Sequence, residues 1–118
     1  MVVANPPYMG SSSLGKWMGS WVKRHHPEAY RDLCTSFIDR GFGMSADDGY
    51  SAMVTMQSWM FLGSFEKLRG KILRNHSSSS MTRHGTRACR SDWRRYRAVF
   101  GIRAPITRNA IQMRFVAL

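Results

Sequence analysis

An apolar run that ends at one polar residue and two prolines is the feature that most constrains this chain. Residues 1–4 are Met, Val, Val and Ala, and Asn5, Pro6, Pro7 and Tyr8 follow them. β-Branched residues favour a strand, and a proline fixes φ, donates no N–H and holds the preceding residue extended. The sequence therefore predicts a strand that ends in a rigid loop, with Asn5 held at the strand tip.

The groups at this strand tip are hydrogen-bond acceptors beside an aromatic ring. Asn5 offers an amide oxygen, Pro6 offers a carbonyl oxygen, and Tyr8 offers a flat apolar face. The exocyclic amine of a planar base fits this arrangement, because its N–H groups donate to the two oxygens while its ring stacks on Tyr8. The alternative is an ordinary structural turn, since Asn-Pro-Pro also occurs in turns.

Length and composition allow one domain or part of one. The chain has 118 residues, of which 43% are hydrophobic, as is ordinary for a globular protein. We see no apolar run long enough to span a bilayer and no N-terminal export signal. Cys34 and Cys89 lie far apart, and neither they nor His25 and His26 have partners at metal-ligand spacing. We therefore expect reduced thiols, a cytoplasmic location and no metal site.

The positive charge of the chain is concentrated near its C-terminus. The net charge is +11, but residues 1–75 carry nine Lys and Arg against six acids, whereas residues 76–118 carry nine Arg and one acid. A basic segment of this kind is typical of proteins that bind nucleic acid. A small, non-enzymatic, basic nucleic-acid-binding module is therefore the alternative function, and it predicts salt-sensitive binding that depends on residues 90–118.

Helical spacing follows the loop in two segments. Trp17 and Trp21 predict a short helix over residues 15–24 and are expected to pack on the sheet, while the basic run at residues 23–26 is interpreted as a solvated surface rather than a phosphate contact. A second helix is predicted over residues 27–43, because a proline and an acid suit a first turn. Its predicted buried stripe comprises Tyr30, Leu33, Phe37, Ile38 and Gly41.

A strand and a third helix complete the predicted pattern. Residues 50–56 predict a buried strand, and Ser64 is expected to cap a helix that buries one face. That face comprises Phe65, Leu68 and Ile72. Alternating helices and strands predict an open α/β sheet, in which ligands bind at the carboxyl ends of the strands. The loop at residues 5–8 and the segment at residues 57–59 should therefore share one edge of the sheet.

Four segments carry motifs that extend this picture. In chain order they read Val-Ala-Asn-Pro-Pro-Tyr-Met-Gly at residues 3–10, Asp-Leu-x-x-x-Phe-Ile at 32–38, Ser-Trp-Met-Phe-Leu-x-Ser-Phe-Glu-Lys-Leu-Arg at 58–69, and Ser-Met-x-x-His-Gly-Thr-Arg-Ala at 80–88. Together they resemble the adenine-N6 DNA methyltransferases, in particular the large phage-exclusion enzymes of the BREX type that are similar to PglX. The resemblance covers residues 1–89, although the Asp47-Asp48 turn departs from the Pro-Gly-Gly that is usual in the family.

The resemblance implies a fold, a reaction and a set of site residues. The fold would be the C-terminal half of the catalytic core of a class I methyltransferase, which has a Rossmann-like α/β sheet and depends on S-adenosyl-L-methionine. The reaction would be site-specific transfer of a methyl group from this cofactor to adenine in DNA. The substrate would be double-stranded DNA with the target adenine flipped out of the helix. The catalytic residues would be Asn5, Pro6, Pro7 and Tyr8, and Phe37 would line the pocket for the adenine of the cofactor. We expect no metal and no membrane partner from the residues themselves, and the oligomeric state stays open.

Residues 90–118 match nothing in the family. The family continues with Ile-Gly-Gly or Ile-Gly-Glu and an apolar strand, whereas this chain continues with a polar segment rich in Arg. We expect residues 1–89 to be a partial catalytic domain and residues 90–118 to be an irregular, disordered basic tail, and we hypothesise that the tail is read out of frame. We also expect the isolated chain to be inactive, because the family's glycine-rich cofactor loop precedes the catalytic loop.

Overall fold

The chain forms a mixed five-stranded sheet with helices against it. The computed structural model describes residues 1–46, 49–84, 97–103 and 115–117. The strands are β1 (Val2–Ala4), β2 (Tyr50–Met56), β3 (Ser77–His84), β4 (Arg97–Arg103) and β5 (Phe115–Ala117). The helices are α1 (Lys16–His25), α2 (Leu33–Met44), α3 (Ser58–Phe61) and α4 (Glu66–Asn75).

The strand order is β1-β2-β4-β3-β5. β1 pairs in parallel with β2, and Ala4 lies opposite Met53. β4 lies antiparallel between β2 and β3, and β5 pairs in parallel with β3. Because β1 and β2 run the same way side by side, their carboxyl ends meet at one edge of the sheet, as predicted. The predicted strands at residues 1–4 and 50–56 and the α/β fold class are confirmed.

The core lies between β2 and the helices. Alternate side chains of β2 are buried, namely Ser51, Met53 and Thr55, because successive residues of a strand face opposite sides of the sheet. The apolar cluster around Met53 consists of Ala29, Ile38, Trp59, Phe65, Leu68 and Ile72. The predicted buried face of α4 is therefore confirmed.

Two helices begin later than the sequence predicts. Residues 27–30 form a turn, and α2 begins at Leu33 because the Asp32 side chain accepts a hydrogen bond of 2.9 Å from the Cys34 N–H. Such an N-cap outcompetes the proline and acid of the preceding turn. Ser64 is not a cap, since it lies inside a short 3-10 turn over Gly63–Phe65, and α4 begins at Glu66.

The predicted packing of three large aromatic side chains is wrong. Trp17 is 74% exposed and Trp21 is 42% exposed, so neither packs into the core, and Val22 is the buried residue of α1. In α2, Ile38 and Gly41 are buried as predicted, whereas Phe37 is 40% exposed. The spacing predicted both helices and the burial of Ile38 and Gly41 in α2, but it did not predict that Val22 is the buried residue of α1.

The tail contributes strands to the sheet. The expectation of an irregular segment does not hold for residues 97–103 and 115–117, which form β4 and β5. A sequence signal for β4 exists in the run Ala98, Val99, Phe100, which has strand propensity despite the arginines around it. The Asp47-Asp48 turn, Cys89, and residues 85–96 and 104–114 lie outside the described residues.

Candidate active site

The Asn-Pro-Pro-Tyr loop, residues 5–8, leaves the carboxyl end of β1 directly. Asn5 is exposed, Pro6 is buried and Tyr8 is half-buried. The Tyr8 hydroxyl donates a hydrogen bond of 3.2 Å to the Asn5 amide oxygen. The two residues that the sequence selects as base-holding groups therefore face each other at the strand tip, and Asn5 is open to a ligand.

The Tyr8 hydroxyl determines which way the Asn5 amide is turned. It also lies 3.4 Å from the Val54 carbonyl oxygen, the alternative acceptor for its single proton. A carbonyl oxygen has two lone pairs, so the Asn5 oxygen can accept from Tyr8 and still accept a second N–H. The loop thus keeps an unused acceptor at its rim, and the sequence does not predict that the Tyr8 hydroxyl lies beside β2.

The start of α2 is tied to the chain immediately after Tyr8. The Leu33 N–H donates to the Met9 carbonyl at 2.8 Å, and Gly10 forms an antiparallel bridge with Asp32. Phe37 lies one helical turn beyond Leu33, about 6 Å along the helix axis. The exposed ring of Phe37 therefore belongs to a helix that is fixed to the Asn-Pro-Pro-Tyr loop.

The carboxyl end of β2 lies at the same edge of the sheet. Trp59 is buried, and its indole N–H donates to the Thr55 hydroxyl at 2.9 Å, so it is a core residue. The Gln57 side-chain oxygen is buried and finds no hydrogen-bond partner among the described residues. Of the segment 57–59, only Gln57 therefore has a polar atom in need of a donor.

A charged cluster joins the helices away from the loop. The Asp39 carboxylate accepts from His26 Nδ1 at 2.7 Å and from Lys71 Nζ, so it links the end of α1, α2 and α4. Burial raises the pKa of Asp39, but the hydrogen bonds from His26 and Lys71 outweigh it, and the net pKa lies below the ordinary value. The sequence does not predict this cluster, because His26 and Lys71 lie 13 and 32 residues from Asp39 along the chain.

Cys34 is a structural residue. Its side chain is buried, and burial followed by the nearby Asp32 carboxylate raises the pKa of the thiol well above its ordinary value. The thiol is therefore protonated and a poor nucleophile at neutral pH. The described residues hold no group of three or more His, Cys, Asp or Glu placed for a metal ion, and none of their helices is long and apolar enough to cross a membrane.

Comparison with known proteins gives the family. The model of the Eco57I restriction-modification methylase family matches residues 1–88. The chain belongs to this family. The match spans the Asn-Pro-Pro-Tyr loop and every motif on which the resemblance to adenine methyltransferases was based. It ends one residue before the end of the resemblance predicted from the sequence.

Two proteins that are similar to this chain carry adenine specificity in their names. The adenine-specific methyltransferase BrxX of Escherichia coli O9:H4 (strain HS) is 41% identical over 87 residues, and the adenine-specific methyltransferase PglX of Lacticaseibacillus casei (strain Zhang) is 37% identical over 86 residues. These alignments cover 74% and 73% of this chain. The chain spans 7% of the length of each relative. The predicted resemblance to BREX and PglX enzymes is confirmed.

A solved structure supports the fold independently of sequence. A protein from Listeria monocytogenes that is named as a class I S-adenosylmethionine-dependent methyltransferase superposes with a TM-score of 0.75. It is 11% identical, and the alignment covers 99% of this chain and 36% of that one. The sheet of this Eco57I-family chain is thus part of a class I methyltransferase fold.

Proposed function

We propose that this chain is the base-holding part of a DNA adenine-N6 methyltransferase that uses S-adenosyl-L-methionine. The observation that carries the proposal is the Tyr8–Asn5 hydrogen bond at the exposed carboxyl end of β1. Family membership and the names of BrxX and PglX support adenine in DNA as the substrate. The chain spans a small part of those relatives, so their full activity is attributed here only to the complete enzyme.

The chemistry of the Asn-Pro-Pro-Tyr loop is acceptance of hydrogen bonds. The Asn5 amide oxygen and the Pro6 carbonyl accept the two amino hydrogens of a flipped adenine, which makes the lone pair on its N6 nitrogen more available. Tyr8 stacks on the base while its hydroxyl keeps the Asn5 oxygen turned toward the amine. The loop thus works by placement and electrostatics, without a side chain that must change its protonation.

The part of the cofactor site that this chain supplies suits S-adenosyl-L-methionine. Phe37 presents a partly exposed aromatic ring on a helix tied to the loop, and such a ring suits the adenine of S-adenosyl-L-methionine. When bound, the cofactor supplies an electrophilic methyl group. Because the Cys34 thiol is kept protonated by burial, it does not compete with the adenine nitrogen as a nucleophile.

The alternative of a non-enzymatic basic module is not favoured. The family match covers residues 1–88, which hold six of the seven acids of the chain, rather than the Arg-rich segment on which that alternative depends. Moreover, residues 97–103 pair with β2 and β3 along their whole length, so part of the basic segment belongs to the sheet. A freely attached basic arm would make no such pairing.

A chimera tests the proposal. Residues 1–88 of this chain replace the matching segment of the BrxX relative, and the purified chimera is incubated with S-adenosyl-L-methionine and the DNA that the parent methylates. We expect N6-methyladenine as the product, detected by mass spectrometry of nucleosides. A chimera that is folded and binds the cofactor but forms no methylated base, or forms methylcytosine, would overturn the proposal.

A further inference from the structure

α1 and its flanking residues form an excursion from the Asn-Pro-Pro-Tyr loop. The excursion is closed at its base, because Gly10 bridges Asp32 and the Ser11 N–H donates to the Arg31 carbonyl at 2.9 Å. The segment between residues 11 and 31 therefore begins three residues beyond Tyr8, and it packs on the rest of the fold through the buried Val22 and Ala29. None of the motifs quoted above lies in this excursion, so they assign it no role.

The outward face of α1 is aromatic. Trp17, Trp21 and His25 recur at intervals of four residues and so lie on one face of the helix. Trp17 is 74% exposed, and the Trp21 ring stacks on His25 with centroids 4.2 Å apart. His25 Nδ1 donates to the Trp21 carbonyl at 2.8 Å, which fixes this stack. Two indole rings that face solvent on a rigid helix form a platform on which flat groups can stack.

The charge of the same helix is entirely positive. α1 contains Lys16, Lys23 and Arg24 and no acid. Of the three acids among residues 1–46, Asp32 caps α2, Asp39 is paired with His26 and Lys71, and Glu28 lies in the turn that follows α1. Arg24 lies three and seven residues from Trp21 and Trp17 and therefore on their face. The platform is complementary to a polyanion that carries flat rings.

We infer that the face of α1 formed by Trp17, Trp21 and Arg24 binds the DNA strand beside the Asn-Pro-Pro-Tyr loop. The inference rests on the proposed function, since the loop places this surface next to the flipped adenine. Exposed indoles stack on bases that lose their neighbours when one base leaves the helix, and Arg24 contacts a phosphate. Such a surface holds the distorted strand open while the loop holds the adenine.

Fluorine NMR tests this contact in the full 118-residue chain. The four tryptophans are replaced by 5-fluorotryptophan, and a duplex with one unpaired adenine is added. We expect the Trp17 and Trp21 resonances to shift, while the resonance of buried Trp59 stays in place. Saturation with DNA that moves only the resonance of Trp93, in the Arg-rich segment, would overturn the inference. Shifts of Trp17 that depend on protein concentration without DNA would also overturn it, because they indicate a second copy.

Matched variants give the size of the contact. Trp17→Ala should weaken binding of the same duplex about 5- to 100-fold, since aromatic–base stacking has effects of this order. Leu73→Ala, an exposed apolar residue on α4, should change it less than about 2-fold. Arg24→Gln should reduce the salt slope by about 0.9, and Lys67→Gln on α4 should not. Equal effects of each pair would contradict the assignment.

The outcomes separate this inference from the proposed function. A chimera that makes no N6-methyladenine, together with intact tryptophan shifts, would remove the proposed function and keep the DNA contact. An active chimera without those shifts would do the reverse.

Discussion

Residues 1–88 and residues 97–103 both contribute strands to one sheet, but only the first region matches a known family. The first region matches the Eco57I methylase family, and its strands and helices follow from capping, spacing and proline. The second region lies beyond the family match and is rich in arginine, yet it forms β4 between β2 and β3 with seven paired residues on each side. The comparison shows that a sheet position can be filled by backbone pairing where the surrounding residues give no family signal.

The difference follows from what each region must satisfy. β2 and β3 would each present an unpaired edge without β4, and exposed edges leave backbone N–H and C=O groups without partners. A short segment with strand propensity can pair with these backbone groups whatever its side chains are. The proposed role of the loop at residues 5–8, in contrast, depends on particular side chains. That residues 90–118 are read out of frame stays a prediction. It requires that the coding DNA encode Ile-Gly-Gly and an apolar strand in another frame.

Deletion of residues 90–118 should have the largest effect on stability. The deletion removes β4 and separates β2 from β3, so we expect loss of the cooperative unfolding transition in urea, since a small domain has only about 5–15 kcal/mol to lose. Circular dichroism measures the transition. The control deletion of residues 104–118 keeps β4, removes β5 and should retain a transition. A full deletion that unfolds at the original urea concentration would show that residues 90–118 are a separate tail.

Gly41→Ala should have the next largest effect. A Cβ at Gly41 would overlap the Met53 methyl group and lie 2.7 Å from the Ser51 Oγ, because α2 approaches β2 closely there. We expect destabilisation by about 1–3 kcal/mol. In the same helix, Gly43→Ala meets no atom within 4 Å and should stabilise by about 0.5–1 kcal/mol. Urea titration of both variants checks the prediction, and a stable Gly41→Ala variant would refute the described register of α2 on β2.

Acidification should have the smallest effect on stability and should act through the side chains of His76 and Asp39. Burial lowers the pKa of His76 from its ordinary 6.5, and the pKa of Asp39 lies below its ordinary 3.8. Both groups therefore contribute stability above their unfolded pKa values, and the contribution is lost as pH falls through their folded values. We expect the urea midpoint to decline first below pH 6.5 because of His76, and again below pH 3.8 because of Asp39.

Two variants assign those steps. His76→Gln should flatten the decline below pH 6.5, although it also removes the stack of His76 on Phe42, whose rings lie 4.0 Å apart. Asp39→Asn should flatten the decline at lower pH and leave the first step intact. A midpoint that is equally pH-dependent in both variants and in the parent chain would place the titrating groups elsewhere.

Local signals predicted most of the first region. Val2 and Val3 before two prolines indicated β1 and its loop, and the spacing of Phe65, Leu68 and Ile72 indicated α4. These features depend on residues close together in the chain. The exposure of Trp17 and the position of β4 could not be predicted in this way, because both depend on which distant surfaces are available to cover a residue or pair with a strand.

The candidate site divides along the same line. The sequence predicted that Asn5 and Tyr8 hold one ligand, because the proline pair fixes the backbone that carries them. It did not reveal the Tyr8–Asn5 hydrogen bond or the connection of Met9 to Leu33, because side-chain rotamers and helix docking are decided by tertiary packing. The roles of Asn5, Pro6, Pro7, Tyr8 and Phe37 are therefore proposals that chemistry must test.

The single-turnover rate of N6 methylation by the BrxX chimera with Asn5→Ala tests the central proposal most directly. We expect this rate to fall by about 10²–10³-fold, because one preorganised hydrogen-bonding group is lost from the reacting amine. The control Asn75→Ala, at the exposed end of α4, should match the parent chimera. A folded Asn5→Ala chimera that methylates adenine at the parent rate would contradict the base-holding role of this loop.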